Sequence, residues 1–413
     1  MSGMTDFVFV TIDCWRDDAI KSMPELRSYT TNSDWERTAA IATSSNTSNT
    51  FPALFGASYY PQVWTKDGSV NPDIPTLPEK LNGVGYSTAG FVASNPWLSR
   101  WRDEFDTFWN GGIEDSGRLR FGLERARNLL QLKPLIPAET VLQRAKVWWE
   151  NTHPPRFLWV HLMEPHKPYL PGLKRGLQVG PVLSPLSLAA ASQYDDAAYP
   201  EWLRFHSRSL YEQAVRRLDT HLTPWLRTFG DTPTVVTADH GEEFDHGIVS
   251  HKQLYDETVR VPLLTNSDIG RLTDGLTRQI DIAPTILRFL GCDPPAVWEG
   301  TEAAATVPPQ RLLCGPDAET GKIWAGIRTG EEKLVNTYDY DWNVINTEFY
   351  QLASDPDELY PKPEQAAPTE LLEAVSDFVS RPEIQDPLQE WYSDLGTIEN
   401  STVESRLEDL GYL

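Results

Sequence analysis

Cysteine is scarce in this chain of 413 residues: Cys14, Cys292 and Cys314 are far apart and odd in number. That excludes a disulfide framework and zinc-ribbon spacing. Long apolar runs are also lacking, and none approaches the ~18 residues that a membrane span requires. Basic residues are few, with Lys+Arg 36 against Asp+Glu 59, a formal net charge of −23 and a pI near 4.7. Such a surface repels nucleic acid and anionic membranes, so neither is expected as a partner. The acidity is spread along the chain and Arg outnumbers Lys, a pattern of adaptation to high salt. A strand begins almost at once, at Asp6–Ile12, which leaves no room for a signal peptide and predicts a cytoplasmic location. Fifteen Trp and 40% hydrophobic residues predict a packed core rather than disorder.

What is present is organised around Thr234–Leu264. Its first part, Thr234–Ala238, is short, β-branched and apolar, as expected for a buried parallel strand, and it runs into Asp239-His240-Gly241-Glu242. Ligands commonly sit beyond the carboxyl ends of such strands, where a carboxylate beside an imidazole suits a divalent cation. The plainer alternative is that Asp239 caps a helix and His240 packs. Near the N-terminus, Phe7–Ile12 is a second buried strand, and Asp13 follows it as Asp239 follows the other. Two carboxylates gathered at one sheet edge repel each other unless a cation lies between them.

Between these ends lies an alternation of strand and helix. Ser, Thr and Asn crowd Thr43–Thr50 and deliver hydroxyls and N–H groups to a helix start, which is either an oxyanion site or ordinary capping. Asp73–Asn95 reads as helix then strand, Val141–Glu150 as helix, and Arg156–Met163 as a core strand with His166 just beyond its end. Pro96–Pro137 is expected to be irregular, and Pro171–Tyr199, rich in Pro, Gly, Ser and Ala, to be a lid-like loop. Tyr211–Phe229 and Asp281–Leu290 are predicted helices. The alternation predicts an α/β doubly wound fold with a mostly parallel sheet flanked by helices over residues 1–305. A smaller α+β subdomain over residues 306–413 is expected to contain strands at Lys322–Arg328, Lys333–Asn336 and Glu348–Leu352. A helix at Thr369–Val379 and an acidic tail complete it.

The segments VTIDCWRDD, GYSTAGFVASNPWL, FLWVHLMEPHKPY, TADHGEEFDHG, HKQLYDETVRVPLL, DIAPTILRFLG and EFYQLASDPDE, in that order, resemble successive blocks of the sulfatase branch of the alkaline phosphatase superfamily. The resemblance implies an alkaline phosphatase-like fold and a divalent cation, Ca²⁺ or Mg²⁺ with Mn²⁺ and Zn²⁺ as alternatives, at the C-terminal edge of the sheet. Carried over, Asp13, Asp239 and His240 are metal ligands, Lys252 reaches the ester oxygens and His166 contacts substrate. His251 or His246 assists the leaving group, and Arg16 with Asp18 anchors the first block by a salt bridge. The implied substrate is a small-molecule, glycan or lipid ester.

Two departures matter. Many relatives carry a second acid directly after Asp13, where this chain has Cys14. The family's Cys/Ser-x-Pro-x-Arg motif, source of formylglycine, aligns with Thr47, Asn49 and Phe51, so no formylglycine is expected. A Thr nucleophile is what phosphodiesterases and phosphotransferases of the superfamily use, which adds Thr47 to the metal ligands; Ser45, Ser48 and Thr50 are neighbouring hydroxyls. The readings are therefore a sulfatase-like hydrolase of sulfate or phosphate esters, a phosphodiesterase or phospho/sulfo-group transferase, and a non-catalytic binding protein of the same fold. A second cation would need further ligands from Glu164, His166, His246 or His251, and one is favoured.

Overall fold

The computed structural model describes residues 4–111, 131–180, 200–303, 308–317 and 320–395. β1 (Phe7–Ile12) has every residue buried, because alternate side chains of a central parallel strand face helices on both sides. It pairs in parallel with β5 (Arg156–Leu162) and with β6 (Thr234–Ala238), and these with β2 (Glu36–Ile41), β3 (Ser87–Val92), β4 (Thr107–Asn110), β7 (Arg260–Thr265) and β8 (Thr277–Arg278) make an eight-stranded sheet. Its order is β4-β3-β5-β1-β6-β7-β2-β8. Only β7 runs against its neighbours. Ile12 lies opposite both Leu162 and Ala238, so three strands end level and everything following them converges on one mouth.

The Thr47–Gly56, Leu77–Gly83 and Ile282–Phe289 helices pack together, as do Ala138–Asn151 and Glu201–Leu226. Trp159 of β5 is fully buried and meets Phe51 and Phe55 edge-on at 5.3 and 4.8 Å, which fixes the Thr47–Gly56 helix over the sheet. A second, antiparallel sheet of β9 (Gln310–Asp317), β10 (Lys322–Arg328), β11 (Glu332–Tyr338) and β12 (Val344–Gln351) carries the Thr369–Val379 and Pro382–Leu395 helices.

Some expectations need correction. Within the stretch expected to be irregular, Pro96–Glu104 is a 3₁₀ helix followed by β4, because Asn95 caps it by accepting from Trp97 N–H at 3.1 Å; residues 112–130 of that stretch lie outside the described residues. The lid-like segment is not structureless throughout, since Leu173–Val179 is helical; residues 181–199 lie outside the described residues, as does the acidic tail beyond 395. The 201–226 helix begins ten residues before the predicted start. No helix among the described residues is long and apolar enough to cross a membrane.

Candidate active site

Asp13 and Asp239 are brought to one point by the register of β1 and β6. No helix starts at Asp239, so the capping alternative fails there. One oxygen of Asp239, Oδ1, accepts from the backbone N–H of His240 at 2.8 Å. The other, Oδ2, is buried without a hydrogen-bond partner. The turn that follows depends on Gly241, where a Cβ would come 2.1 Å from the Glu257 carbonyl oxygen.

His240 donates Nδ1–H to the Gly241 carbonyl at 2.8 Å, which leaves the Nε2 lone pair facing inward. That nitrogen lies 3.3 Å from Thr47 Oγ1, 3.5 Å from Asp239 Oδ2 and 3.7 Å from Asp13 Oδ1. Thr47 Oγ1 in turn donates to Asp13 Oδ2 at 3.3 Å. Two carboxylates, an imidazole lone pair and a hydroxyl thus converge with few protons among them. The set Asp13, His161 and Asp239 and the set Asp13, Cys14 and His240 each gather their ligand atoms within 4.8 Å. This donor chemistry, with a buried carboxylate oxygen left over, fits a divalent cation.

Thr47 is placed by its helix. Asn46 is the N-cap, its side chain accepting from Asn49 N–H at 3.1 Å. Pro52 cannot donate to Ser48 four residues back, and the indole N–H of Trp64 fills that role at 2.7 Å. The capping and the oxyanion readings of Thr43–Thr50 are therefore compatible, because Asn46 caps while Thr47 points at the carboxylates.

Electrostatics follow from burial. Desolvation and the neighbouring Asp13 charge push Asp239 up to about 7. Burial also acts on Asp13, but His166, the His161 hydrogen bond and His240 outweigh it and hold the carboxyl well below its usual range. Burial lowers His240 against the opposing pull of the Asp239 charge, which favours the ring's lone pair. Burial and the Glu242 charge push the Cys14 thiol well up.

Above Thr47 opens a cavity of about 430 Å³ with Asn46, Trp64, Trp97, Arg100, His166, His251 and Trp391 on its wall. His166 and His251 both stand on this wall, with ring centroids 5.5 Å apart. Lys252 follows one residue on; its carbonyl accepts from Cys314 Sγ at 3.2 Å, and that sulfur lies 3.4 Å from Ser45 Oγ. His246 is engaged elsewhere, with Nδ1 at 2.5 Å from Glu257, Nε2 at 3.1 Å from the Glu358 carbonyl and its ring stacked on Tyr255. Glu164 pairs with Arg217 at 2.9 Å and accepts from Ala138 N–H, so it braces the scaffold. Arg16 pairs with Asp18 at 2.8 Å and Glu257 at 2.6 Å, an anchor of the first loop to the His240 turn.

Asn95 and His161 belong to the site and escaped the sequence reading. Asn95 donates Nδ2–H to Asp13 Oδ2 at 3.2 Å, and His161 Nε2 lies 3.4 Å from the same oxygen. Trp159 donates to Thr11 Oγ1, which bonds His161 Nδ1, both at 2.9 Å. With Thr11 donating onward, His161 offers Asp13 its Nε2–H. Asn95 carried a signal, since it follows a strand end as Asp13 does; His161 sits inside an apolar strand and carried none.

A family model described as Sulfatase matches residues 5–292. The chain belongs to the sulfatase family. By that membership it is an ester hydrolase. This sulfatase-family chain is similar in fold to the phosphonate monoester hydrolase of Agrobacterium radiobacter, with 16% identity and a TM-score of 0.65 over 95% of this chain and 96% of that one. A protein solved in complex with its substrate D-glucosamine-2-N,6-O-disulfate shares 15% identity and a TM-score of 0.64 over 93% of this chain and 99% of that one. At such identity the likeness shows the fold alone. The multifunctional alkaline phosphatase superfamily protein PehA of Trinickia caryophylli is 34% identical over 76 residues, a stretch spanning 17% of this chain and 15% of that relative.

Proposed function

We propose that this chain is a metal-dependent hydrolase of sulfate or phosphate esters, leaning to phosphate, with Thr47 as nucleophile. Residues 1–305 carry the chemistry, and residues 306–413 close the cavity with Gly315, Pro316 and Trp391. The observation that carries the reading is the position of Thr47 Oγ1, within hydrogen-bonding reach of both Asp13 and His240 at the mouth of the sheet. A divalent cation held by Asp13, Asp239, His240 and Thr47, Ca²⁺ or Mg²⁺ with Mn²⁺ and Zn²⁺ as alternatives, would lower the pKa of the hydroxyl and offset charge on the ester's non-bridging oxygens.

The protein's own residues supply the rest. Thr47 gives up its proton to Asp239, the neighbouring carboxyl that burial and the Asp13 charge push up to about 7, as its oxygen attacks in line. The Oγ1–P bond forms, the bond to the leaving alcohol oxygen breaks, and that oxygen takes a proton from His251 or His166 on the cavity wall. Water then attacks the phospho-Thr, its oxygen bonding to phosphorus and its proton returning to the histidine. The P–Oγ1 bond breaks, Thr47 takes back its proton from the carboxyl, and phosphate, or a phosphomonoester when the substrate is a diester, is released. Lys252 is the cation assigned to the non-bridging oxygens. The phosphonate monoester hydrolase among the similar folds supports the phosphorus leaning.

The test is a turnover assay in molar KCl with Mg²⁺, Ca²⁺ or Mn²⁺, setting nitrophenyl sulfate against phosphate mono- and diesters. Phosphodiester turnover that disappears in Thr47→Ala is the expected result. Sulfate-ester turnover that survives Thr47→Ala would give the nucleophile's role to another residue, and silence on every ester would sink the hydrolase reading.

A further inference from the structure

Cys14, where relatives place an acid, is more than a lost ligand. Its Sγ is fully buried, 3.8 Å from His251 Nδ1, and shares a cluster with His251 and His166 whose ligand atoms all lie within 4.8 Å of one another. We propose that Cys14, His166 and His251 hold a second divalent cation, a soft one of the Zn²⁺ type, in a three-ligand site whose remaining position opens into the cavity above Thr47.

Geometry and chemistry both point there. With Zn–S of about 2.3 Å and Zn–N of about 2.0–2.1 Å in a tetrahedral site, sulfur and nitrogen stand about 3.6 Å apart and two imidazole centroids roughly 5 Å apart. The chain shows 3.8 Å and 5.5 Å before any cation draws the groups together. His166 donates Nδ1–H to the Lys167 carbonyl at 2.5 Å, which fixes the tautomer and leaves the lone pair on Nε2, as the outer shell of a metal-binding histidine does. Glu242, fully buried, has Oε1 3.3 Å from the same Nδ1 of His251 and its Oε2 without a hydrogen-bond partner, which adds an oxygen donor beside the cluster.

The Cys14 backbone is pinned in the left-handed region at φ 56°, its carbonyl accepting from Tyr211 Oη at 2.8 Å, which holds the sulfur in place. In the metal-free chain the thiol donates to Asp13 Oδ1 at 3.1 Å; binding forms the metal–sulfur bond and releases that proton to solvent. An acid-to-thiol exchange at this position shifts preference from hard cations toward soft ones. Because His166 and His251 line the cavity, a cation between them faces the leaving oxygen of the ester and would stabilise it in place of the proton that either ring gives in the cation-free chain; that role rests on the proposed reaction, whereas the binding itself does not.

The test uses the full chain, stripped with a chelator and titrated with Co²⁺, reading absorption and bound metal. Wild type is expected to bind two equivalents and to show thiolate-to-cobalt charge transfer. Cys14→Ala should lose that band and one equivalent, and His166→Ala, at a half-buried position that folding tolerates, should weaken the second equivalent tenfold or more. Asp239→Asn should keep the band while losing the other equivalent, which separates this site from the centre at Thr47. Cobalt binding without the band in wild type, or an unchanged band and stoichiometry in Cys14→Ala, would overturn the assignment.

Discussion

Two regions of this molecule bury carboxylates, and they treat the charge in opposite ways. Between the two sheets, Asp256 and Glu358 surround Lys333, fully buried, with Nζ at 3.1 and 2.7 Å, and Arg328 adds a second contact to Asp256 at 2.8 Å. Two cations answer two anions. Burial there would raise Asp256, but Lys333 and Arg328 hold it well below its usual range. At the mouth of the large sheet, the ion-pair partners of Asp13 and Asp239 are imidazoles, and Asp239 keeps an oxygen with no hydrogen bond. The first cluster is neutralised by the chain and is structural. The second leaves its charge for something from solution.

Exchange experiments test that contrast, the largest effect first. Thr47→Ala and Asp13→Asn should each cut ester turnover by about a thousandfold or more in steady-state kinetics, while the thermal midpoint stays close to wild type. A substitution that abolished folding as well would erase the distinction between the regions. Lys333→Met should behave conversely. It leaves Asp256 and Glu358 buried without their ammonium and should cost about 3–5 kcal/mol in denaturant unfolding. A Lys333→Met protein as stable as wild type would show that its carboxylates need no internal partner.

Added Mg²⁺ or Ca²⁺, a hard cation that suits the oxygen donors of the mouth rather than the Cys14 cluster, should stabilise only through the mouth. At about a hundred times its Kd it should contribute about 2.7 kcal/mol, and Asp239→Asn should abolish the gain in calorimetry. Equal stabilisation of the variant would place the cation elsewhere.

Proton binding gives a smaller effect of definite sign. Asp239 is raised to about 7 in the folded chain against about 3.9 when unfolded, so the folded state binds the extra proton between those values. Its contribution is fully present below pH 4 and is lost as pH rises through 7. Metal-free wild type should therefore lose stability relative to Asp239→Asn from pH 5 to 8; a difference flat across that window would remove the raised carboxyl.

Smallest is the generalised effect of the −23 net charge. Midpoints should climb from low salt to molar KCl as repulsion is screened, with the Lys333 region less sensitive than the surface because it is buried. A flat or falling midpoint would end the high-salt reading.

Much of the fold was legible because period and burial were strong. Phe7–Ile12 and Thr234–Ala238 were predicted to the residue, since continuous apolar β-branched runs admit little else. β2, Glu36–Ile41, was missed because Glu, Arg and Thr fill its exposed half and dilute the signal. The Pro96–Glu104 turns were missed because their order comes from Asn95 and from packing rather than from any period.

The same division runs through the site. Residue type and position after a strand marked Asp13, Asp239, His240 and His166, because a strand end is a local property of the sequence. Which of them meet, and with what, was a matter of register: Ile12 opposite Ala238 and Leu162 sets Asp13 among Asp239, His161 and Asn95. The sequence by itself determined the donors and the strands that carry them. Only the tertiary structure decided that His246 braces Glu257 while His251 faces the cavity, and that Cys14 lies against that ring, because distances across separate strands and loops are fixed by pairing and packing and not by spacing along the chain.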